Sequence, residues 1–284
     1  MEKNGNILVA FDGSESSINA LRQTIRYSKI NRKAVLVLTV QPPYEGELEY
    51  GLVKNIKAVF RKHGEKILSS AEAIAKEEGG RIEAILQEGQ IYDVIADTAR
   101  KRNCGLIVLG RRGLNKIDRV LMGSITARVI GFSPVNVLVV PNNAQVRWSR
   151  ILLAVDGSQC SEVAAIKAIK MARDYNGELK VLSVVDVPPE VYPEAQDVIE
   201  AMIGEAREIV RNIEDLARLH SIRVESFIRE GNAFEKIIEL SNELKVDLIC
   251  MGSHGRTGLR RLLVGSVTEK VIGGAARPIL VVKD

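Results

Sequence analysis

Two stretches of the chain combine glycines, a hydroxyl side chain and basic residues in the order that a phosphate-binding loop requires. Their shared spacing is G-x2-G-x9-G-S, formed by Gly110, Gly113, Gly123 and Ser124, and again by Gly252, Gly255, Gly265 and Ser266. In each stretch an apolar run precedes the first glycine, and a helical pattern begins at the serine. Glycines allow the backbone to approach an anion, and the first N–H groups of a helix point at it. The spacing therefore predicts two phosphate sites.

Two aspartates, Asp12 and Asp156, each end the first apolar strand pattern of one half of the chain and precede Gly-Ser. One interpretation is a ligand contact, either an acceptor for an amino or hydroxyl group or a support for a metal ion. The other is a helix cap, because Asp-Gly-Ser-Glu and Asp-Gly-Ser-Gln resemble a capping box. The repeated association with a glycine loop favours ligand contact, and one residue can serve both roles.

The polar side chains of the two loops also have alternative interpretations. Ser124 and Ser266 either cap a helix or present their hydroxyl and N–H groups to an anion. Arg112 and His254 occupy matching positions, where each either contacts phosphate or ribose or is a solvated loop charge. Both alternatives remain open at the level of the sequence.

Several catalytic and cofactor motifs are missing from the sequence. It contains no G-x-x-x-x-G-K-[ST], no G-x-G-x-x-G after the first strand and no G-x-S-x-G. The three histidines, His63, His220 and His254, cannot form a His-rich metal cluster. No catalytic base with a clear partner is visible, so the sequence favours binding over turnover and predicts no catalytic residue and no metal site.

The composition predicts a protein of two α/β domains. The chain has 284 residues, which corresponds to two domains of about 140 residues, and 46% of them are hydrophobic. Aromatic residues make up only 4%, so aliphatic residues dominate, as in parallel sheets that are buried on both faces.

The charge and the apolar runs exclude several classes of partner. The net charge is +4, and no basic stripe with interleaved aromatics is present, so we expect no nucleic-acid partner. No apolar run approaches the roughly 18–20 residues of a membrane span, and the first residues do not resemble a signal peptide. The three cysteines lack a C-x-x-C pattern. We expect a cytoplasmic protein with reduced thiols and no membrane association.

The chain repeats itself once. ILVAFDGSESS at residues 7–17 matches ILLAVDGSQCS at residues 151–161, which lies 144 residues later, and the glycine loops recur after 142 residues. We predict a tandem duplication with domains at 1–141 and 149–284, joined by a short polar linker.

Each half has alternating strand and helix patterns, including a helix at 161–175 and a strand at 246–251. Such alternation predicts right-handed crossovers and a doubly wound parallel sheet, in which ligands bind beyond the carboxyl ends of the strands. The Asp-Gly-Ser turn follows strand one and the glycine loop follows strand four. If these strands are neighbours, both segments line one crevice.

The Asp-Gly-Ser turns, the two glycine loops and the closing VLVV and ILVV strands resemble the universal stress protein family. GSHGRTGLRRLLVGSVTEKVI is similar to the ATP-binding branch of that family, and the resemblance covers nearly the whole chain, once per half. It implies a five-stranded, adenine nucleotide alpha hydrolase-like fold of order 3-2-1-4-5, with ATP or AMP held between strands one and four.

The resemblance also implies site residues. Adenine contacts fall near Asp12 and Val40 in the first half and near Asp156 and Val184 in the second. Phosphate contacts fall on the loop glycines and on the two serines. The remaining residues of the predicted site are Leu109, Arg112, Ile125, Met251, His254 and Val267. The first loop departs from the pattern, since Arg111-Arg112 stands where the second has Ser253-His254.

Members of the family often pair through the fifth strand, which implies a pseudo-dimer of the two domains within one chain and a homodimer of chains. The implied function is a regulatory or stress-response module that binds adenine nucleotide and acts through unidentified protein partners. The alternative is a slow ATPase or autokinase that uses the same pocket with Mg²⁺. A dimerisation module without ligand is disfavoured, because both glycine loops persist.

Overall fold

The computed structural model describes residues 5–43, 56–111, 123–186, 196–256 and 264–283. The chain divides into two compact units: the first unit ends at Asn143 and the second unit begins at Ala144. Within the described ranges, each unit contains five strands and four helices in alternation.

The elements of the first unit are β1 (Asn6–Ala10), α1 (Glu15–Asn31), β2 (Val35–Gln41), α2 (Ile56–Glu77), β3 (Glu83–Glu88), α3 (Ile91–Lys101), β4 (Cys104–Gly110), α4 (Ser124–Phe132) and β5 (Asn136–Val140). Those of the second unit are β6 (Arg150–Val155), α5 (Gln159–Asp174), β7 (Glu178–Val185), α6 (Gln196–Leu219), β8 (Arg223–Glu230), α7 (Ala233–Glu243), β9 (Leu248–Gly252), α8 (Ser266–Gly274) and β10 (Ile279–Val282).

Within each unit the five strands run parallel to one another and have the predicted order. The first unit runs β3-β2-β1-β4-β5, and the second runs β8-β7-β6-β9-β10. The central strands are buried on both faces, as Ile7, Leu8 and Val9 of β1 show by having no exposed surface. Since β1 is paired with β2 on one side and β4 on the other, the strand order reverses beside it, which is where ligands bind in open α/β sheets.

Two predicted element starts are wrong for local hydrogen-bonding reasons. Helix α5 begins at Gln159, not at residue 161, because Ser158 is its N-cap and accepts a hydrogen bond from the Ser161 N–H at 3.3 Å. Strand β9 begins at Leu248, not at residue 246. The Val246 N–H bonds back to the Ser241 carbonyl at 3.1 Å, at the end of α7.

Asp247, just before β9, serves a different partner. Its carboxylate accepts the Arg150 backbone N–H at 3.1 Å and the Arg150 guanidinium at 3.1 and 3.3 Å, and this contact raises the pKa of that guanidinium. The pair fixes the start of β6 beside β9. Within the described residues, none of the helices is both long and apolar enough to cross a bilayer.

Candidate functional site

The crevice of the second unit lies where β6 and β9 end side by side. The two strands pair in parallel, with Leu153 opposite Cys250, so their carboxyl ends reach the same edge of the sheet. Asp156 follows β6 directly, and Gly252 is the last residue of β9. The Asp-Gly-Ser turn and the glycine loop therefore meet at one edge, as the parallel topology requires.

A cavity of about 440 Å³ occupies this edge. One part of its wall is apolar and includes Val184, Val185, Met202, Ala206 and Ile237. The other part is polar and includes Asp156, His254, Gly255, Arg256, Gly265 and Ser266. The volume lies within the range of about 300–1,000 Å³ that is typical of small-molecule sites.

All nine residues that the sequence predicts for the second half line this cavity. They are Asp156, Val184, Met251, Gly252, His254, Gly255, Gly265, Ser266 and Val267. They come from four separate segments of the chain, which the fold brings together.

Helix α8 begins at the cavity without a side-chain cap. Its N-cap is Gly265, which has no side chain to accept from the first turn, and Ser266 is already the first helical residue. Helix α4 begins in the same way, with Gly123 as its N-cap and Ser124 as its first residue. The helix-cap interpretation of the two serines is therefore wrong. The first N–H groups of α8 point outwards without a side-chain acceptor from the cap.

Asp156 ties the turn after β6 to the glycine loop. Its Oδ1 accepts hydrogen bonds from the Ser158 N–H at 3.0 Å and the Ser158 hydroxyl at 2.6 Å, and its Oδ2 accepts from the Arg256 N–H at 2.9 Å. Ser158, and not the aspartate, caps the helix that follows. Asp12 likewise accepts from the Ser14 N–H at 3.0 Å, so both aspartates shape their turns.

Gly255 and His254 lie against this aspartate and its loop. A Cβ on Gly255 would lie 2.6 Å from Asp156 Oδ2, so a side chain here would displace the carboxylate. His254 is half-buried, and its Nδ1 lies 3.1 Å from the Ser253 hydroxyl. Within the described ranges, no three His, Cys, Asp or Glu side chains are grouped in a way that could hold a metal ion.

The first glycine of each loop has a packing role. A Cβ on Gly252 would lie 2.8 Å from backbone atoms of Cys160, at the start of α5. A Cβ on Gly110 would lie 2.6 Å from backbone atoms of Ser16 and Ser17, at the start of α1. The end of β9 therefore approaches the start of α5, and the end of β4 the start of α1, more closely than any side chain permits.

The first unit has the same frame at its strand ends. Val40 lies near the end of β2, Leu109 and Gly110 end β4, and Asp12 follows β1 at the same edge. Gly123, Ser124 and Ile125 form the start of α4, where Ile125 is 45% exposed. The other two predicted residues, Arg112 and Gly113, lie outside the described residues.

The sequence prediction missed the wall that helices contribute. Met202 and Ala206 on α6 and Ile237 on α7 line the cavity, as do Asp186 and Arg256. The apolar positions on these helices follow ordinary core spacing, which gives no sign of a cavity. Asp186 follows β7 directly, and this position at a strand end is the signal that could have identified it.

Known proteins match both units. A family model described as the universal stress protein family matches residues 3–141 and 147–283. A universal stress protein of Mycolicibacterium smegmatis is 24% identical over 294 residues, which cover 98% of this chain and 96% of that protein. One of Methanocaldococcus jannaschii is 35% identical over 145 residues, which cover 50% of this chain and 85% of that protein. The crystal structure of a universal stress protein from Archaeoglobus fulgidus has a TM-score of 0.78 at 22% identity, covering 100% of this chain and 99% of that chain.

Proposed function

This chain belongs to the universal stress protein family, and on that premise we propose that it binds ATP or AMP and acts as a cytoplasmic regulatory or stress-response protein without dedicated turnover. The observation that carries the proposal is the two-sided cavity of the second unit. Its apolar wall ends at a polar wall that contains the open start of a helix. A nucleotide has the same division, since a flat base is joined through ribose to phosphate.

The base fits the apolar wall. Val184 and Val185 come from the sheet, Met202 and Ala206 from α6, and Ile237 from α7, so apolar groups enclose the space from three elements. Enclosure of this kind removes both faces of a base from water, which is favourable for a planar ring. Backbone groups at the end of β7 and the Asp156 carboxylate supply the polar partners.

The phosphate fits the start of α8. The helix dipole and the uncapped N–H groups favour an anion there, and the glycines of the loop leave room for it. Helices α1 and α5 begin at the same kind of edge but carry serine caps, whose hydroxyl oxygens accept from Ser17 and Ser161. This contrast supports α8, rather than α5, as the phosphate-binding helix.

Turnover is disfavoured by the environment of Asp156. Its two oxygens already accept three hydrogen bonds, from Ser158 and Arg256, so the carboxylate is held as part of the scaffold. A base that activates water or a hydroxyl must instead reach the proton that it removes. The alternative, a slow ATPase or autokinase with Mg²⁺, predicts released phosphate or labelled protein.

The test is equilibrium binding of labelled ATP and AMP to the full chain, with released phosphate assayed in the same samples. We expect saturable binding and no phosphate release above the buffer control. In Gly265→Val, binding to the second unit should be lost, because a Cβ there already lies 3.2 Å from the His254 backbone and extends into the loop.

Gly204→Val is the matched control, since a Cβ at this helical position meets no described atom within 4 Å. No bound nucleotide at millimolar ATP would contradict the proposal, and steady phosphate release would favour the alternative. Unchanged affinity in Gly265→Val would contradict the phosphate assignment alone. We expect the first unit to bind as well. We also expect the fifth strands to form the pseudo-dimer within one chain and two chains to form a homodimer; light scattering on the purified chain tests the homodimer.

A further inference from the structure

An ion pair stands at the edge of the cavity in the second unit. The Arg256 guanidinium reaches Glu205 on α6 through both terminal nitrogens, at 2.8 and 3.2 Å, which is the paired geometry that arginine forms with a carboxylate. Its Nε donates to the Asp156 carbonyl. One side chain therefore joins the glycine loop, the turn after β6 and the long helix above the cavity.

Arg256 is the only lysine or arginine among the described residues that line the cavity. Glu205 neutralises that charge and also fills the two donor positions that would suit two phosphate oxygens. While the pair is intact, the helix start at Ser266 remains as the anion site, and the arginine is withheld.

We propose that Glu205 is a specificity-determining residue, which competes with nucleotide phosphate for Arg256 and so weakens binding of ATP relative to AMP. This inference rests on the proposed nucleotide site. The first phosphate lies at the start of α8, and only a longer phosphate chain carries enough charge to draw Arg256 away from Glu205. The Glu205 carboxylate thus determines how much more tightly the additional phosphates of ATP allow it to bind than AMP.

The environment of the pair allows such competition. The side chains of Arg256 and Glu205 are 46% and 54% exposed, and an exposed ion pair is weakly held. The guanidinium also lies over Gly157, where a Cβ would stand 3.4 Å from its terminal nitrogen. The same Cβ would lie 2.8 Å from Ile209 Cδ1, so the absence of a side chain at Gly157 leaves room for the guanidinium beside this helix.

The first unit offers an internal comparison. Helices α2 and α6 end 142 residues apart, at Glu77 and Leu219, and by the same offset Glu205 corresponds to His63. The first unit therefore has no carboxylate at this position. Substitutions at Glu205 should change the nucleotide affinity of the second unit, and the affinity of the first unit should remain as a reference.

The experiment compares ATP and AMP binding by calorimetry in the full chain and in Glu205→Gln, Arg256→Gln, the double variant and Glu208→Gln. Glu208 is exposed on the same helix and does not line the cavity, so Glu208→Gln reproduces the change in net charge. In Glu205→Gln we expect the Kd for ATP at one set of sites to fall about three- to tenfold, while the Kd for AMP changes less than about twofold.

Arg256→Gln should weaken ATP binding, and the double variant should match Arg256→Gln, because Glu205 acts only through the arginine. Thermal melts establish that each variant folds. If the unmodified chain binds neither ATP nor AMP, the proposed function is wrong and this inference fails with it. If it binds ATP but not AMP, only this inference is overturned. If AMP binds but the ratio of the two Kd values in Glu205→Gln equals that in Glu208→Gln, or moves in the opposite direction, only the role of Glu205 is overturned.

Discussion

The two units share their strand edges but differ in how the long helix meets the sheet. At the start of α6, Ile199, Met202 and Ile203 pack with Val185 of β7 and Ile228 of β8. The corresponding residues at the start of α2, 142 positions earlier, are Lys57, Phe60 and Arg61, and all three are exposed. Among the described residues of α2, the apolar roof over the second crevice therefore has no equivalent.

The last residue of the second strand is also polar in the first unit and apolar in the second. Gln41 corresponds to Val185, since Gly89 and Gly231 donate their N–H groups to these two carbonyls. The Gln41 amide donates to the Phe60 carbonyl of α2, and Gly64 leaves the space for it, because a Cβ there would lie 2.6 Å from the amide nitrogen. The comparison teaches that the two units share the frame at their strand ends, while the wall beside it is apolar in the second unit and contains a polar amide in the first.

The largest expected effect tests the shared frame. Gly110→Val and Gly252→Val each insert a side chain against backbone at 2.6–2.8 Å, which should destabilise the affected unit by about 3 kcal/mol, the upper part of the usual range for overpacking. Urea unfolding, detected in each unit separately by hydrogen exchange, measures this loss of stability. If one variant lowers the free energy of unfolding much less than the other, the two frames are not equivalent. The control Gly204→Val should leave the stability of both units unchanged.

A smaller effect tests the divergent wall. Val185→Gln buries an amide in the apolar cluster under α6, where it should cost the second unit about 1–3 kcal/mol. Gln41→Val removes an amide that is only half-buried and should cost the first unit less. Unfolding midpoints at constant m-value report both changes.

The double variant Val185→Gln/Ala206→Gly sharpens this test. By the 142-residue offset Ala206 corresponds to Gly64, so the second substitution recreates the space that the glutamine occupies in the first unit. We expect it to recover part of the stability that Val185→Gln loses. An additive loss would mean that the two walls differ for another reason.

The smallest expected effect is a loss of stability in alkaline solution, caused by the two buried thiols. Burial raises the pKa of the Cys250 thiol to about 12 and that of the Cys104 thiol to about 11, whereas the pKa of an unfolded thiol is about 8.5. Below the unfolded value both states are protonated and stability is unaffected. Above it the unfolded state alone gains ionisation, so stability falls by up to about 1.4 kcal/mol per pH unit until the folded thiol ionises.

Urea unfolding between pH 8 and 10 with reductant, in the full chain and in Cys250→Ala and Cys104→Ala, isolates each slope by difference. Both variants should show a shallower alkaline decline, of equal size over this range, because neither folded thiol ionises within it. A slope in Cys250→Ala that equals that of the full chain would contradict the burial of its thiol in the second unit.

The alternation of strands and helices and most of the candidate site in the second unit could be predicted from local patterns, whereas the strand order was predicted from the resemblance to the universal stress protein family. Apolar runs set the strands, alternation sets the parallel topology, and parallel topology brings Asp156 and Gly252 to one edge. The start of β9 could not be predicted, because Asp247 is drawn to Arg150, a partner almost 100 residues away.

The helical wall and the ion pair were not predictable for a related reason. Met202 and Ala206 occupy positions that a core would also fill with apolar residues, so their types do not distinguish a cavity from a packed interior. Arg256 and Glu205 meet only because α6 lies over the glycine loop, 51 residues from it in sequence. The sequence alone does not show which oppositely charged residue a charged surface residue pairs with.

The close approach of β9 to α5 has a consequence for how the loop changes during evolution. Gly252 is kept by the backbone of Cys160 whether or not the cavity is filled, whereas Gly265 stands at the mouth of the cavity. A Cβ on Gly265 would lie 3.2 Å from the His254 backbone, a wider separation than the 2.8 Å that a Cβ on Gly252 would have from Cys160. If the cavity binds a ligand as proposed, relatives without that ligand should therefore vary more at the last glycine of the loop than at the first.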